Sequence, residues 1–84
     1  MKIAMCAARF INGDTLGNIE RMILYIRKYG IEVNMICFGE AFLQGFDGLT
    51  WNYDADVHIA VGQDSPEIAQ LRCVARELGV ALAF

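Results

Sequence analysis

Basic residues are few in this sequence, and they do not cluster. The 84 residues contain seven Lys and Arg against ten Asp and Glu, which gives a net charge of −3. A protein that binds by neutralising phosphates needs a basic face, so we expect no nucleic-acid partner. Long apolar runs are also missing. Spanning a bilayer takes about 20 consecutive apolar residues, and no segment approaches that length, so we expect no membrane association.

The sequence also lacks closely spaced cysteines. Cys6, Cys37 and Cys73 are an odd number, lie far apart and each fall within an apolar segment. This pattern predicts buried thiols in a reducing cytoplasm rather than disulfides or a metal site. We therefore expect no metal and no other cofactor. Internal repeats and low-complexity segments are absent as well.

Apolar residues, in contrast, are abundant. They make up 56% of the chain, whereas about 45–50% is typical. A chain of this length forms one small domain, residues 1–84, with a limited core. The surplus predicts apolar surface that the domain cannot cover by itself. The final apolar strand reaches the last residue, Phe84, and we expect the domain to be incomplete or to self-associate.

The apolar pattern predicts an α/β fold in the order β-α-β-loop-α-β, with right-handed crossovers and a parallel or mixed sheet. Continuous apolar runs predict strands at 2–8 and 31–38, with a third beginning at residue 80. A first helix, capped by Asp14 or Thr15 and ended by a left-handed Gly30, buries a face at helical spacing: Ile19, Met22, Ile23 and Ile26. A second helix starts at Ser65-Pro66-Glu67 and ends at Gly79.

Residues 39–63 lack a regular pattern and contain four glycines and several aromatic residues. An irregular stretch of this length is usually a functional loop. Short helical turns are predicted near 41–43 and 54–61. Trp51 and Tyr53 are interpreted as packing residues, and His58 as a loop histidine rather than a ligand.

Glu40 is the strongest candidate for chemistry. It follows the second predicted strand by two residues, and in α/β sheets functional groups collect at the carboxyl ends of strands. Walls of Phe38, Phe42 and Phe46 would partly desolvate the carboxylate and suit it to general-base catalysis near neutral pH. From the residues alone, a solvated acid at a strand end remains the alternative.

The segment from Ile36 to Phe46 (Ile-Cys-Phe-Gly-Glu-Ala-Phe-Leu-Gln-Gly-Phe) resembles the nitrilase-type carbon–nitrogen hydrolases, whose signature is an apolar strand, Phe-Pro-Glu and then Gly-Tyr. The opening residues 1–4, the Gly13-Asp14 pair and Asn18 agree with it, as does the segment 69–84. The resemblance implies an N-terminal part of an αββα sandwich. Gly39 and Phe46 depart from the pattern, because the family usually has proline and tyrosine there.

The resemblance implies hydrolysis of amides or nitriles by a Glu-Lys-Cys set, with Glu40 as the base that takes the proton from the cysteine thiol. Nothing in this chain corresponds to the lysine or the cysteine, which in the family lie downstream. Cys37 is close to Glu40 in sequence, but residues three apart on a strand point to opposite faces. We therefore expect the chain alone to be inactive, and its partner to be a missing C-terminal remainder or a second copy.

Two hypotheses from other classes stay open. The chain could be a non-catalytic oligomerisation unit, as the apolar surplus suggests. It could also be a flavodoxin-like nucleotide or flavin binder, because the Gly-rich turn at 12–18 leads into a helix N-terminus. The latter signal is weak, since neither G-x-G-x-x-G nor a P-loop lysine is present.

Overall fold

Three short parallel strands form the centre of the structure, a computed structural model that describes residues 1–45, 47 and 50–84. The strands are β1 (Ile3–Met5), β2 (Met35–Cys37) and β3 (Ala81–Ala83), and their spatial order is the same as their order along the chain. Ala4 pairs with Ile36, and Ile36 pairs with Leu82. The predicted α/β class and the parallel sheet are confirmed, in the order β-α-β-α-β.

Two helices connect the strands. They are α1 (Thr15–Tyr29) and α3 (Pro66–Leu78), and they pack against each other. A guanidinium–carboxylate pair, Arg27 with Glu77, joins their outer sides through two contacts of 3.3 Å. Since α1 and α3 touch, both crossovers return on the same face of the sheet. The long connection between β2 and α3 contains a single helical turn, α2 (Tyr53–Asp56), followed by a 3-10 turn at Val57–Ile59.

The first helix begins as the sequence predicts, and it ends differently. The Asp14 side chain accepts a hydrogen bond from the Gly17 amide, as expected for a cap. Gly30, however, has φ −63° and continues into a 3-10 turn at Gly30–Glu32, so the predicted left-handed conformation is wrong. Packing is close at this glycine: an added Cβ would lie 3.3 Å from the end of the Leu78 side chain, which would have to shift slightly.

The second long helix matches its prediction at both ends. The Ser65 hydroxyl accepts a hydrogen bond from the Ile68 amide, and Pro66 occupies the first helical position. Gly79 ends the helix in the left-handed conformation, with φ +66°. The strands are much shorter than predicted. The apolar runs at 2–8 and 31–38 extend past the paired residues, because apolar character continues into loops that also contribute to the core.

The core lies between the sheet and the helices, where side chains of α1 and α3 pack on Ile36 and on two residues after β2, Phe42 and Leu43. The opposite face of the sheet is different. We call it the open face. Its members alternate with the core residues along each strand and are all half-buried or exposed: Ile3, Met5, Met35, Cys37, Ala81 and Ala83. Met5 is 79% exposed. The open face is therefore one of the places where the apolar surplus of the sequence is exposed.

Candidate functional site

Glu40 lies just beyond the carboxyl end of β2, the central strand. Pairing with β3 continues one residue past the strand, because the Phe38 amide donates to the Ala83 carbonyl at 2.8 Å. The chain then turns over residues 40–44. Glu40 thus occupies the predicted place in the sheet, at the edge where α/β proteins collect their functional groups.

The turn that carries Glu40 is anchored in the hydrophobic core and contains a strained backbone conformation. Phe42 and Leu43 are each only 1% exposed and anchor the turn in the core. The Gly45 amide donates to the Ala41 carbonyl at 2.8 Å and closes the turn. Ala41 has φ +54°, in the left-handed region that a residue with a Cβ rarely adopts. Such a conformation persists only where its surroundings enforce it.

The Glu40 side chain itself is exposed, and the predicted aromatic walls do not enclose it. Phe38 and Phe42 pack instead on each other, with ring centroids 5.3 Å apart, and belong to the core. Burying a phenylalanine ring in the core is more favourable than placing it beside a solvated carboxylate. The two rings therefore join the core and do not enclose Glu40. Phe46, the third predicted wall, lies outside the described residues. The expected desolvation of Glu40 is therefore absent from the described part of the chain.

Asn18 is the buried polar residue that the sequence analysis did not identify as important for the site. It is fully buried in the first turn of α1. Its Nδ2 donates to the carbonyl oxygens of Ile11 at 2.9 Å and Leu43 at 3.0 Å, and its Oδ1 accepts from the Ile11 amide at 2.8 Å. Asn18 therefore joins the loop after β1 to the Glu40 turn. A sequence signal existed: Asn18 precedes Met22 by four residues and so shares its buried face.

A second set of contacts joins the same two loops near the surface. The Gly13 amide donates to the Gln44 carbonyl at 2.8 Å, and the Asn12 side chain accepts from the Asp47 amide at 3.2 Å. Gly45, with φ +92°, passes so close to Asn12 that an added Cβ would lie 2.5 Å from the Asn12 Cα. Glycine is required at this position both by its φ and by the neighbouring backbone.

Two cysteines lie near the same edge of the sheet as Glu40. The Cys6 amide donates to the Cys37 carbonyl at 2.8 Å, so Cys6, the residue after β1, lies beside the last residue of β2. Cys37 belongs to the open face, whereas Cys6 lines a cavity of about 320 Å³ beside Tyr25 and Tyr29 of α1. Burial raises the pKa of the Cys6 thiol, which lowers its thiolate fraction at neutral pH and makes it a poor nucleophile. Cys73 is exposed, so the prediction of buried thiols is wrong there, and Cys6 and Cys37 are only half-buried.

The lysines lie at the far end of the molecule. Lys2 precedes β1, and Lys28 is in the last turn of α1. In a parallel sheet both positions are at the amino ends of the strands, opposite to Glu40. The described chain therefore brings neither lysine to the candidate site, as the sequence predicts.

Trp51 and Tyr53 are 90% and 79% exposed, so their interpretation as packing residues is wrong. The cause is a polar turn. The Asp56 carboxylate accepts from the Thr50 amide and hydroxyl, both at 2.8 Å, and from the Trp51 amide at 2.9 Å. These bonds, those from Thr50 first, lower the pKa of Asp56. Trp51 has φ +67°, which carries its side chain outward. His58 is exposed in the adjoining 3-10 turn.

Residues 1–45, 47 and 50–84 contain no group of three or more histidine, cysteine or acidic side chains that could hold a metal ion. Within the same residues, no helix is long and apolar enough to cross a membrane. Comparisons with protein-family models, with curated proteins and with solved structures find no match to this chain.

Proposed function

We propose that this chain is the N-terminal segment of a carbon–nitrogen hydrolase that acts on small amides or nitriles, with Glu40 as its general base. The supporting observation is the setting of Glu40, directly beyond the central strand, on a turn with a left-handed Ala41 that Asn18 and the loop after β1 hold in place. Backbone strain of this kind clusters at active sites, where it fixes a side chain in a productive position.

In the proposed reaction on an amide, the Glu40 carboxylate takes the proton from a cysteine thiol, and the resulting thiolate attacks the substrate carbon. The C–N bond then breaks, the nitrogen leaves as ammonia with the proton that Glu40 took up, and water hydrolyses the thioester to the acid and the free thiol. A lysine stabilises the negative charge that develops on the substrate. Both partners would come from residues that follow Phe84. Cys6 and Cys37 do not fill the role, since one thiol faces the α1 cavity and the other lies on the open face.

The open face supports the same proposal. A parallel sheet in a stable protein is covered on both faces, whereas α1 and α3 cover only one face here. In an αββα sandwich a second sheet packs on this side, and the open face is apolar and without charge, as that packing requires. A carboxylate that is exposed in this chain would also gain walls from the added layer.

The test uses the reading frame beyond the codon for Phe84. We expect it to encode a lysine and a strand-end cysteine, and we expect the whole product to release ammonia from a panel of small amides and nitriles. Glu40→Gln should lower kcat/KM by about 10²–10⁴-fold, the usual contribution of a general base. The 84-residue chain alone should show no turnover.

Glu32→Gln is the matched control, because Glu32 is an exposed glutamate at the opposite end of β2. It should leave the activity unchanged. Equal effects of the two substitutions would refute the role of Glu40. Turnover by the purified 84-residue chain, abolished by Glu40→Gln, would refute the requirement for downstream residues.

A second candidate function is a non-catalytic oligomerisation unit, and the open face is the observation that favours it. In that case two copies would cover each other's sheets, and the whole product would associate without hydrolysing any substrate. The flavodoxin-like hypothesis gains no support. The Asp14 carboxylate already occupies the N-terminus of α1, and the order β1-β2-β3 lacks the reversal at which such folds bind their ligands.

A further inference from the structure

Asn18 is polar at a position where the fold offers an apolar environment. The neighbouring buried residues on the same side of α1 are Ile19, Met22 and Ile26. A buried amide costs free energy unless its donors and acceptor are all used. Those of Asn18 are, through Ile11 on one side and Leu43 on the other. The free-energy cost is thus offset only because the side chain joins two loops.

Helix capping does not account for Asn18. Asp14 already caps α1 through the Gly17 amide at 3.1 Å, and the Asn18 amide donates to the Asp14 carbonyl as a normal helical bond. The Asn18 side chain points back toward the helix N-terminus, as helical side chains do. There it meets the two strand-end loops rather than the helix itself.

The bond to Leu43 acts on the Glu40 turn. Leu43 is three residues after Glu40 and two after the strained Ala41. With Leu43 fixed by Asn18 and Gln44 fixed by Gly13, the turn is held on its carboxyl side. On its amino side it is held by the pairing of Phe38 with β3. The left-handed conformation of Ala41 is the connection that these fixed ends require.

We propose that Asn18 is a positioning residue: its amide enforces the left-handed conformation of Ala41 and thereby the orientation of Glu40. Only an asparagine fits. Aspartate has the same shape but lacks both donors, and glutamine is longer by one methylene. The conformational part of this proposal stands on its own, and its catalytic part rests on the proposed function of Glu40.

The test is NMR spectroscopy of the isotopically labelled 84-residue chain. In the wild type we expect slow exchange of the Asn18 side-chain amide protons and a strong intraresidue NOE between the amide and α protons of Ala41, which is diagnostic of positive φ. In Asn18→Asp this strong NOE of Ala41, the Ala41 signature, should be lost. Chemical-shift changes should be confined to the loop after β1 and the Glu40 turn. Asn34→Asp is the matched control, since Asn34 accepts a bond from the Lys2 amide at the other end of the sheet. It should leave Ala41 unchanged.

A folded Asn18→Asp variant that retains the Ala41 signature would overturn the proposal. If that variant does not fold, the measurement on the wild-type chain tests the proposal. Fast exchange of the Asn18 side-chain amide protons would overturn it. Slow exchange, together with a direct scalar coupling across the hydrogen bond to the Leu43 carbonyl, would support it. None of these measurements needs a substrate.

The catalytic consequence is measured separately in the whole reading-frame product. Asn18→Asp should lower kcat by about 10²-fold through misplacement of the base, with KM little changed. If the product has no hydrolase activity, the proposed function fails and the NMR result stands. If kcat is unaffected while Ala41 loses its signature, the positioning role fails and the function of Glu40 stands.

Discussion

The rings of Phe10 and Phe42 meet edge to face, with their centroids 5.7 Å apart and their planes at 71°. Phe10 belongs to the loop after β1 and Phe42 to the Glu40 turn. This aromatic contact therefore joins the same two loops that Asn18 joins by hydrogen bonds. The Glu40 turn is therefore supported by an apolar contact as well as by hydrogen bonds.

Removing the Phe42 ring should destabilise the protein strongly. Phe42→Ala deletes a side chain that is 1% exposed and contacts both Phe10 and Phe38. We expect a loss of about 3–5 kcal/mol in the free energy of unfolding, measured by urea denaturation followed by circular dichroism. Phe84→Ala, at a ring that is half exposed, is the control and should cost much less. Similar losses for the two variants would contradict the assigned core.

Two glycine substitutions separate backbone strain from steric clash. Gly13 and Gly45 both have positive φ, but a Cβ at Gly13 would meet nothing within 4 Å, whereas one at Gly45 would strike the Asn12 backbone. Gly13→Ala should cost about 1–2 kcal/mol, the price of left-handed alanine. Gly45→Ala should cost distinctly more, because Asn12 must also move. Equal losses in urea denaturation would mean that the two loops are not interlocked as described.

Acid should loosen the turn that carries Trp51. The hydrogen bonds from Thr50 and Trp51 hold the pKa of Asp56 below its usual range in the folded chain. The stabilisation is therefore complete above the ordinary aspartate pKa and is lost as the pH falls through it toward the lowered value. Amide hydrogen exchange at Thr50 and Trp51, with the fluorescence of the single tryptophan, should report this change.

Asp56→Asn should abolish that pH dependence, and Asp54→Asn, two residues earlier in the same turn, should preserve it. A pH response that persists in Asp56→Asn would mean that a group other than Asp56 controls the pH dependence of this turn.

Thiol modification should distinguish the cysteines. Cys73 is exposed on α3, whereas burial raises the pKa of Cys6. Since the thiolate is the reactive form, iodoacetamide at mildly alkaline pH should modify Cys73 well before Cys6. Mass spectrometry of timed samples would measure the order. Cys73→Ser should remove the fast phase only; a fast phase that remained would show that another thiol is accessible.

A charge on the open face should reduce association. Met5 is 79% exposed on that face, so Met5→Lys can be introduced without disturbing the core. We expect the wild-type chain to form larger species as its concentration rises, and Met5→Lys to shift them toward the monomer in size-exclusion light scattering. Leu24→Lys, at a 64% exposed position on α1, is the control. A wild-type chain that stays a compact monomer would rule out association through this face.

Periodicity and local chemistry were enough to predict both long helices, a cap at Asp14 or Thr15, and the start at Ser65 and Pro66, because each depends on residues within one or two turns of each other. The position of Glu40 could also be predicted, since the end of an apolar run marks the end of a strand. What could not be predicted depends on contacts between distant segments. The proposed role of Asn18 follows from its bond to Leu43, 25 residues away. The helical φ of Gly30 had no local signal either, because glycine adopts either sign of φ.

The exposure of Trp51 belongs to the same group of missed features. Aromatic residues favour the interior on average, and only the position of the Asp56 carboxylate relative to the Thr50 and Trp51 amides reverses that preference here. Such a turn contains no sequence signature as strong as a helix cap.

The order β1-β2-β3 also has a consequence for biosynthesis. Each strand pairs with the strand made just before it, so every piece of the sheet can form as soon as it leaves the ribosome. The loop after β1 and the Glu40 turn both precede α3 in the chain and can interlock before α3 is translated. The nascent protein would thus form the support on the carboxyl side of the Glu40 turn early, and the pairing of Phe38 with β3 on its amino side would come last.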